Sequence, residues 1–225
     1  MNCDDIARLY RWIEYAAFGN ALQRRRAAFL GNVSGARRVL ALGDGDGRAL
    51  VALLHAAPAA RVDYVDASAR MLELARARAG TNCADADRVE FRQADARVMP
   101  LDENAYDLIV THFFLDCLST REIQALASRL RQDAAPSALW LVSEFAVPSN
   151  VFGRLVARPL VAALYLVFGQ LTGLNLRSLP DHPTALKAAG FALDKRRTRL
   201  GGLLASELWR AQLPNQPINP TPTPL

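Results

Sequence analysis

The chain has little cysteine, almost no lysine and no long apolar run, and each shortage excludes something. Its three cysteines, Cys3, Cys83 and Cys117, are odd in number and widely separated in 225 residues. Neither a disulfide framework nor a structural zinc site fits that spacing, so they read as free thiols in a reducing compartment. The three histidines stand far apart, at positions 55, 112 and 182, and with the cysteines they form no metal-ligand pattern. Lysine occurs only at 187 and 195, so arginine supplies nearly all of the 27 basic residues against 22 acidic ones, for a net charge of +5. Only Arg24-Arg25-Arg26 forms a run. A solvated arginine-rich surface therefore outweighs a nucleic-acid interface. The opening Met-Asn-Cys-Asp-Asp has no basic stretch followed by an apolar one, so no secretory leader is read and a cytoplasmic protein is expected. The most apolar segment, 151–174, centres on Leu160-Val-Ala-Ala-Leu-Tyr-Leu-Val-Phe168 and falls short of the roughly 18–20 residues that span a bilayer. A lid helix or a helix resting on a membrane surface stays open; a span does not.

What is present is a globular composition, 51% hydrophobic and 22% charged, in the length range of one large domain. Apolar positions at helical spacing run from Ile6 to Phe29, predicting an N-terminal helical cap over 1–34 with a break near Gly19. Residues 35–213 then alternate. Arg38–Leu42 reads as a strand, Gly43-Asp-Gly-Asp-Gly47 as a tight turn, and Arg48–His55 as a helix. Strands follow at Arg61–Asp66, Arg88–Arg92, Tyr106–Thr111 and Leu139–Phe145. Ser68 is placed to cap the second helix, and Ser119-Thr-Arg-Glu122 is a capping box opening another. A short helix runs from Pro183 to Ala189. Two last strands, near Phe191–Thr198 and Leu203–Arg210, are joined by Gly201-Gly202 and are expected to pair antiparallel. The pattern predicts an α/β fold, a mostly parallel sheet with one antiparallel strand and helices on both faces. The proline-rich tail 214–225 is read as disordered.

Ligands of such sheets bind beyond the carboxyl ends of the strands. The triple-glycine turn would bring backbone N–H groups close to one, although Gly43-x-Gly45-x-Gly47 has Arg48 where a dinucleotide turn wants its third glycine. Asp44 and Asp46 make this turn acidic, which suits an ammonium or sulfonium better than a pyrophosphate. Asp66, ending the second strand, can accept both hydroxyls of a ribose. Asp95, after the third, can accept from an adenine amine. Candidates for work on a substrate are His112 directly after the fourth strand, Asp116 four residues on, and His182 at a helix start. Each has a plain structural alternative: packing for His112, loop fixing for Asp116 and helix initiation for His182. Tyr10 and Tyr15 could close the site, but aromatic residues at helical spacing are more often core.

Val39-Leu-Ala-Leu-Gly-Asp-Gly-Asp-Gly-Arg48, Val65-Asp-Ala-Ser-Ala-Arg-Met-Leu72, Phe91-Arg-Gln-Ala-Asp-Ala96 and Tyr106-Asp-Leu-Ile-Val-Thr111 resemble, in order, the motifs of class I S-adenosylmethionine-dependent methyltransferases. The resemblance covers residues 37 to 210. Within that superfamily the chain is most similar to small-molecule enzymes related to quinone-biosynthesis C-methyltransferases. It implies a Rossmann-like seven-stranded sheet and S-adenosylmethionine as cofactor. It also implies Gly43, Gly45 and Gly47 under the methionine part, Asp66 on the ribose, Met71 against the adenine ring, and Asp95 with Ala96 at the adenine edge. Asp44, Ala67 and His112 fall in the same cofactor shell. The family often carries an acid two residues before the first glycine. Here that position is Ala41, and Asp44 or Asp46 is expected to compensate by holding the methionine amino group.

Methyl transfer needs alignment, a dry pocket and, for some acceptors, a base. The apolar stretch 151–174, flanked by Arg154, Arg158 and Arg177, suggests a small hydrophobic acceptor, and core packing or a dimer interface explains the same letters. Monomer and homodimer are both compatible. Three other readings compete with methyl transfer: a same-fold binder of S-adenosylmethionine with other chemistry or a regulatory role, a nicotinamide-dependent oxidoreductase, and a peripheral membrane module.

Overall fold

The strand ends that the letters place at one edge do meet there. The structure is a computed structural model; it describes residues 20–83, 86–101, 106–148, 150–151, 153–159, 161 and 179–212. The cap before residue 20, most of the 151–174 stretch and the tail lie outside them, as do Tyr10 and Tyr15. Seven strands form one sheet: β1 Arg38–Leu42, β2 Arg61–Asp66, β3 Val89–Gln93, β4 Tyr106–His112, β5 Ala134–Phe145, β6 Phe191–Arg199 and β7 Leu204–Ala211. Their order is β3-β2-β1-β4-β5-β7-β6. The first five pair in parallel, and β7 runs antiparallel to both β5 and β6. The one antiparallel strand of the sequence reading is β7.

Helices α1 Ala21–Arg26, α2 Arg48–Ala56, α3 Ala69–Asn82, α4 Thr120–Asp133 and α5 His182–Ala188 complete the layers. Helix α4 buries Ile123, Leu126, Ala127 and Leu130, a stripe at helical period, and its N-terminus closes with the full Ser119/Glu122 capping box. Ser68 caps α3 by accepting from the Met71 N–H. Gly47 ends the turn at φ 80 as the residue before α2. A Cβ there would lie 2.7 Å from the Ala75 Cα, so only glycine lets α2 and α3 approach so closely.

Alternation along the buried strands supplies two cores. Trp140, Trp209, Phe191 and Ile109 face α4 and α5, with Trp140 and Phe191 edge-on at 5.2 Å. Val39, Tyr64, Leu108 and Leu141 face the other way, towards Phe29, Leu50 and Leu54. Helix α1 lies over the carboxyl end of the sheet, its Leu22 against Phe113 and Leu204. Arg25 and Arg26 are buried in this contact, so the arginine run is not the solvated patch its composition suggests.

Candidate active site

Strand order sets what neighbours what. Along the carboxyl edge stand Asp95 after β3, Asp66 ending β2, the glycine turn after β1, His112 ending β4 and Glu144 near the end of β5. Sequence-adjacent strands run outward from β1 on one side and from β4 on the other, so the order reverses between them. That reversal is where a crevice opens in an open α/β sheet.

At the crevice Asp44 crosses from the turn to His112. Its Oδ1 lies 2.9 Å from His112 Nδ1, and both side chains are almost fully buried. The Tyr64 hydroxyl donates to the Gly45 carbonyl at 2.9 Å and leans on Asp44 Oδ2 at 3.4 Å. Burial, with Asp44, Asp66 and Asp46 nearby, holds the Tyr64 phenol well above its usual range, so it stays a donor. The opposite imidazole nitrogen, His112 Nε2, is buried with no hydrogen-bond partner. A buried orphan of this kind is costly unless something else bonds to it. Asp46 is engaged too, by Arg48 at 3.1 Å and Arg78 at 3.0 Å. Asp44 and Asp46 are thus both held by partners within the protein.

The cofactor half is more open. All three glycines have positive φ, 60, 73 and 80 for Gly43, Gly45 and Gly47. A Cβ on Gly43 would strike the Phe114 ring at 2.2 Å, whereas one on Gly45 would meet nothing within 4 Å. Gly45 therefore leaves its backbone bare toward open space. Asp66, half-buried, accepts from the Ser68 N–H at 2.8 Å. Burial raises its carboxyl above the usual range, offset by backbone bonds from Ser68 and Gly45. Ala67 is exposed beside it, and Met71 is half-buried in the first turn of α3. Arg97 grips both Asp95 oxygens, at 2.7 to 3.1 Å, and holds the carboxyl below its usual range, with Ala96 buried beside it.

The acceptor half begins with strain. Phe113 has φ 54, uncommon for a bulky residue, and its ring lies 5.3 Å from that of Phe145 and 5.1 Å beneath Arg26. Glu144, which the sequence reading passed over, holds this bend. Its Oε1 accepts the N–H groups of Phe114 and Leu115 at 3.1 and 2.8 Å, and its Oε2 is buried without a partner. Burial, then the nearby charge of Asp116, pushes the Glu144 carboxyl well above its usual range. The available signal was an acid inside the apolar run Leu139–Phe145. Asp116 and Cys117 sit in the short turn Leu115–Cys117, with Asp116 half-exposed. Cys117 is exposed. Crowding by the surrounding protein, with Asp116, Glu144 and Asp66 in electrostatic reach, raises its thiol well above the usual range.

His182 does not join them. Its Nε2 lies 3.1 Å from Glu207 Oε2, which also accepts from Trp209, and Glu207 stands opposite Val142 inside the sheet. The Glu207 carboxyl is pushed up by burial but held below its usual range overall, chiefly by His182. This buried contact holds His182 at the start of α5, whose N-cap is Asp181.

Comparison with known proteins agrees with the geometry. A model of a methyltransferase domain matches residues 39–136. The chain is 31% identical over 181 residues to a demethylmenaquinone methyltransferase of Clavibacter sepedonicus, covering 75% of this chain and 71% of that one. It is 31% identical over 191 residues to the demethylmenaquinone methyltransferase of Thermus thermophilus, covering 79% and 84%. The chain belongs to the class I S-adenosylmethionine-dependent methyltransferases. The methyltransferase also superposes on an O-methyltransferase family 2 protein from Planctomyces limnophilus in complex with apigenin, with a TM-score of 0.69 and 19% identity over 93% of this chain and 62% of that one. At that identity the likeness shows the fold.

The family's cofactor is S-adenosylmethionine, and the methyltransferase's residues fit it. Gly45 offers open backbone, Asp66 a half-buried carboxylate at the end of β2, and His112 an unpaired buried nitrogen beside the turn. Among the described residues no cluster could hold a metal ion, and no helix is long and apolar enough to cross a membrane.

Proposed function

We propose that this methyltransferase acts on a small apolar acceptor whose reacting atom must lose a proton, and that His112 receives it. The observation that carries the reading is the buried, unpartnered His112 Nε2 behind the Asp44 contact. The Asp44 carboxylate accepts from Nδ1–H, which fixes the tautomer and leaves a lone pair on Nε2. A proton taken at Nε2 makes an imidazolium that the same carboxylate stabilises, the division of labour seen wherever an acid orients a basic histidine. When bound, S-adenosylmethionine supplies an electrophilic methyl carbon on a sulfonium. Asp66 and the glycine turn hold its two ends. Phe113, Phe145, Leu22 and Leu204 pack into a buried apolar cluster next to His112, which keeps water from that side and favours an apolar acceptor. Asp116, in the turn after β4, orients the acceptor's polar end.

The curated relatives named above act on demethylmenaquinone, and reduced quinones combine an apolar ring with an ionisable hydroxyl. The Phe-rich wall and the basic Nε2 match that class. A panel assay with a radiolabelled methyl donor tests it. Hydroquinones and phenols with apolar substituents should take up label, while polar amines should not. Labelling confined to polar amines would contradict the reading.

A further inference from the structure

A second charged cluster lies away from this crevice, on the side of the sheet where β6 forms the edge. Arg197 and Arg199 are two residues apart on β6 and so project to one face. The register sets Arg197 and Arg199 opposite Ser206 and Leu204; Ser206 donates to the Arg25 carbonyl of α1 at 2.8 Å and Leu204 packs on Leu22 of the same helix. In keeping with that placement, burial and the charges of Arg199 and Arg197 hold the Arg25 guanidinium below its usual range. Arg25 is 8% exposed, and its Nε is buried with no partner. Arg197 donates to the Ala28 carbonyl at 3.1 Å and covers the Phe29 ring at 5.1 Å, which fixes its position without neutralising it. The nearby acids are already engaged elsewhere, Glu207 by Arg196 and His182, and Asp194 by Arg210. No carboxylate among the described residues pairs with Arg25, Arg197 or Arg199. Among the described residues these three cations share one face, one of them largely buried, and no described carboxylate offsets their repulsion.

We infer that Arg25, Arg197 and Arg199 form a binding site for a phosphate-type oxyanion, clamping α1 to the edge of the sheet. Guanidinium groups in convergent array match the fork geometry that phosphate oxygens prefer. The clamp bears on the reaction crevice through α1. The Arg25 carbonyl accepts from Ser143 and Ser206 at 3.1 and 2.8 Å, and Leu22 and Arg26 touch Phe113, next to His112. An anion seated there fastens the wall of the acceptor half without entering it. The phosphate could be free or carried on a lipid headgroup, and both present the same chemistry.

The test is thermal denaturation of the full chain in inorganic phosphate against chloride at matched ionic strength. Phosphate should raise the wild-type melting temperature by about 3 °C or more. Arg199→Gln, on the exposed edge, should lose that gain and melt higher than wild type in chloride, because one repelling charge is gone. Arg24→Gln, which removes a cation from the exposed side of the same helix, should keep the gain. Sedimentation with phosphatidylglycerol or phosphatidylcholine vesicles separates the sources. Arg199-dependent binding to phosphatidylglycerol alone assigns a headgroup, and phosphate stabilisation without vesicle binding assigns a free phosphate. Equal melting in phosphate and chloride with no vesicle binding overturns the site. So does an Arg199→Gln variant that keeps the full phosphate gain.

Discussion

Single side chains decide what each half of the crevice can do, and the least legible of them was Glu144. Its letter sits in an apolar strand, but the partners that explain it, the N–H groups of Phe114 and Leu115, come from a bend some thirty residues earlier. Asp44 stands out in the letters as part of an acidic turn, but its contact with His112 spans 68 residues of sequence. No periodicity carries that information. Glu144 also makes a pH prediction. Its carboxyl is raised in the folded protein, so the folded state binds the proton more tightly than the unfolded chain. Stability from this group is full below the ordinary carboxylate range and is lost as pH climbs through the raised value. Each pH unit in that window costs the wild type up to about 1.4 kcal/mol. Glu144→Gln, which keeps an acceptor for the two N–H groups, should not show this loss. Melting curves from pH 5 to 9 check it: the variant should gain on wild type as pH rises, and parallel curves would count against a raised Glu144.

Among the elements, those with their own punctuation were the easiest to read. Strands β1 and β2 begin and end where the apolar runs do, and Ser68 and Ser119 cap the helices they announce. Strand β5 starts five residues before the Leu139 expected, at Ala134. Pro136 and Ser137 lie outside the strand expected from Leu139, yet Ala134 pairs with Tyr106 past an irregularity in the register. Tertiary pairing overrode local preference there. Another contact that no local pattern announces is the Arg88 staple. Its guanidinium donates to the carbonyls of Leu54, Ala57 and Ala60 at 2.8 to 3.1 Å, closing the end of α2 onto the loop before β2. Arg88→Leu leaves those carbonyls without their charged donor. It should cost roughly 2 kcal/mol, about 4–8 °C in melting temperature. Calorimetry would show it, and a change within about 1 °C would mean that water replaces the staple at no cost.

At the scale of the molecule the order β3-β2-β1-β4-β5-β7-β6 does the arranging. It brings the glycine turn, Asp66 and Asp95 to one side of the β1/β4 reversal and Glu144 to the other, with Asp44 and His112 at the join. The family and its sheet were legible from motifs, because glycines and strand-end acids must recur at fixed places in such a fold. The apolar cluster beside His112 was less so, since it is assembled from Phe113, Phe145, Leu22 and Leu204, ordinary apolar letters distant in sequence. The account rests on His112 serving the reaction rather than the cofactor's seat. Its sharpest test compares wild type with His112→Gln, measuring turnover on a labelled hydroquinone alongside calorimetric affinity for S-adenosylhomocysteine. Turnover should fall by about a hundredfold or more while affinity stays within about threefold. A variant that keeps its turnover, or one whose loss is matched by an equal loss of affinity, would contradict the account.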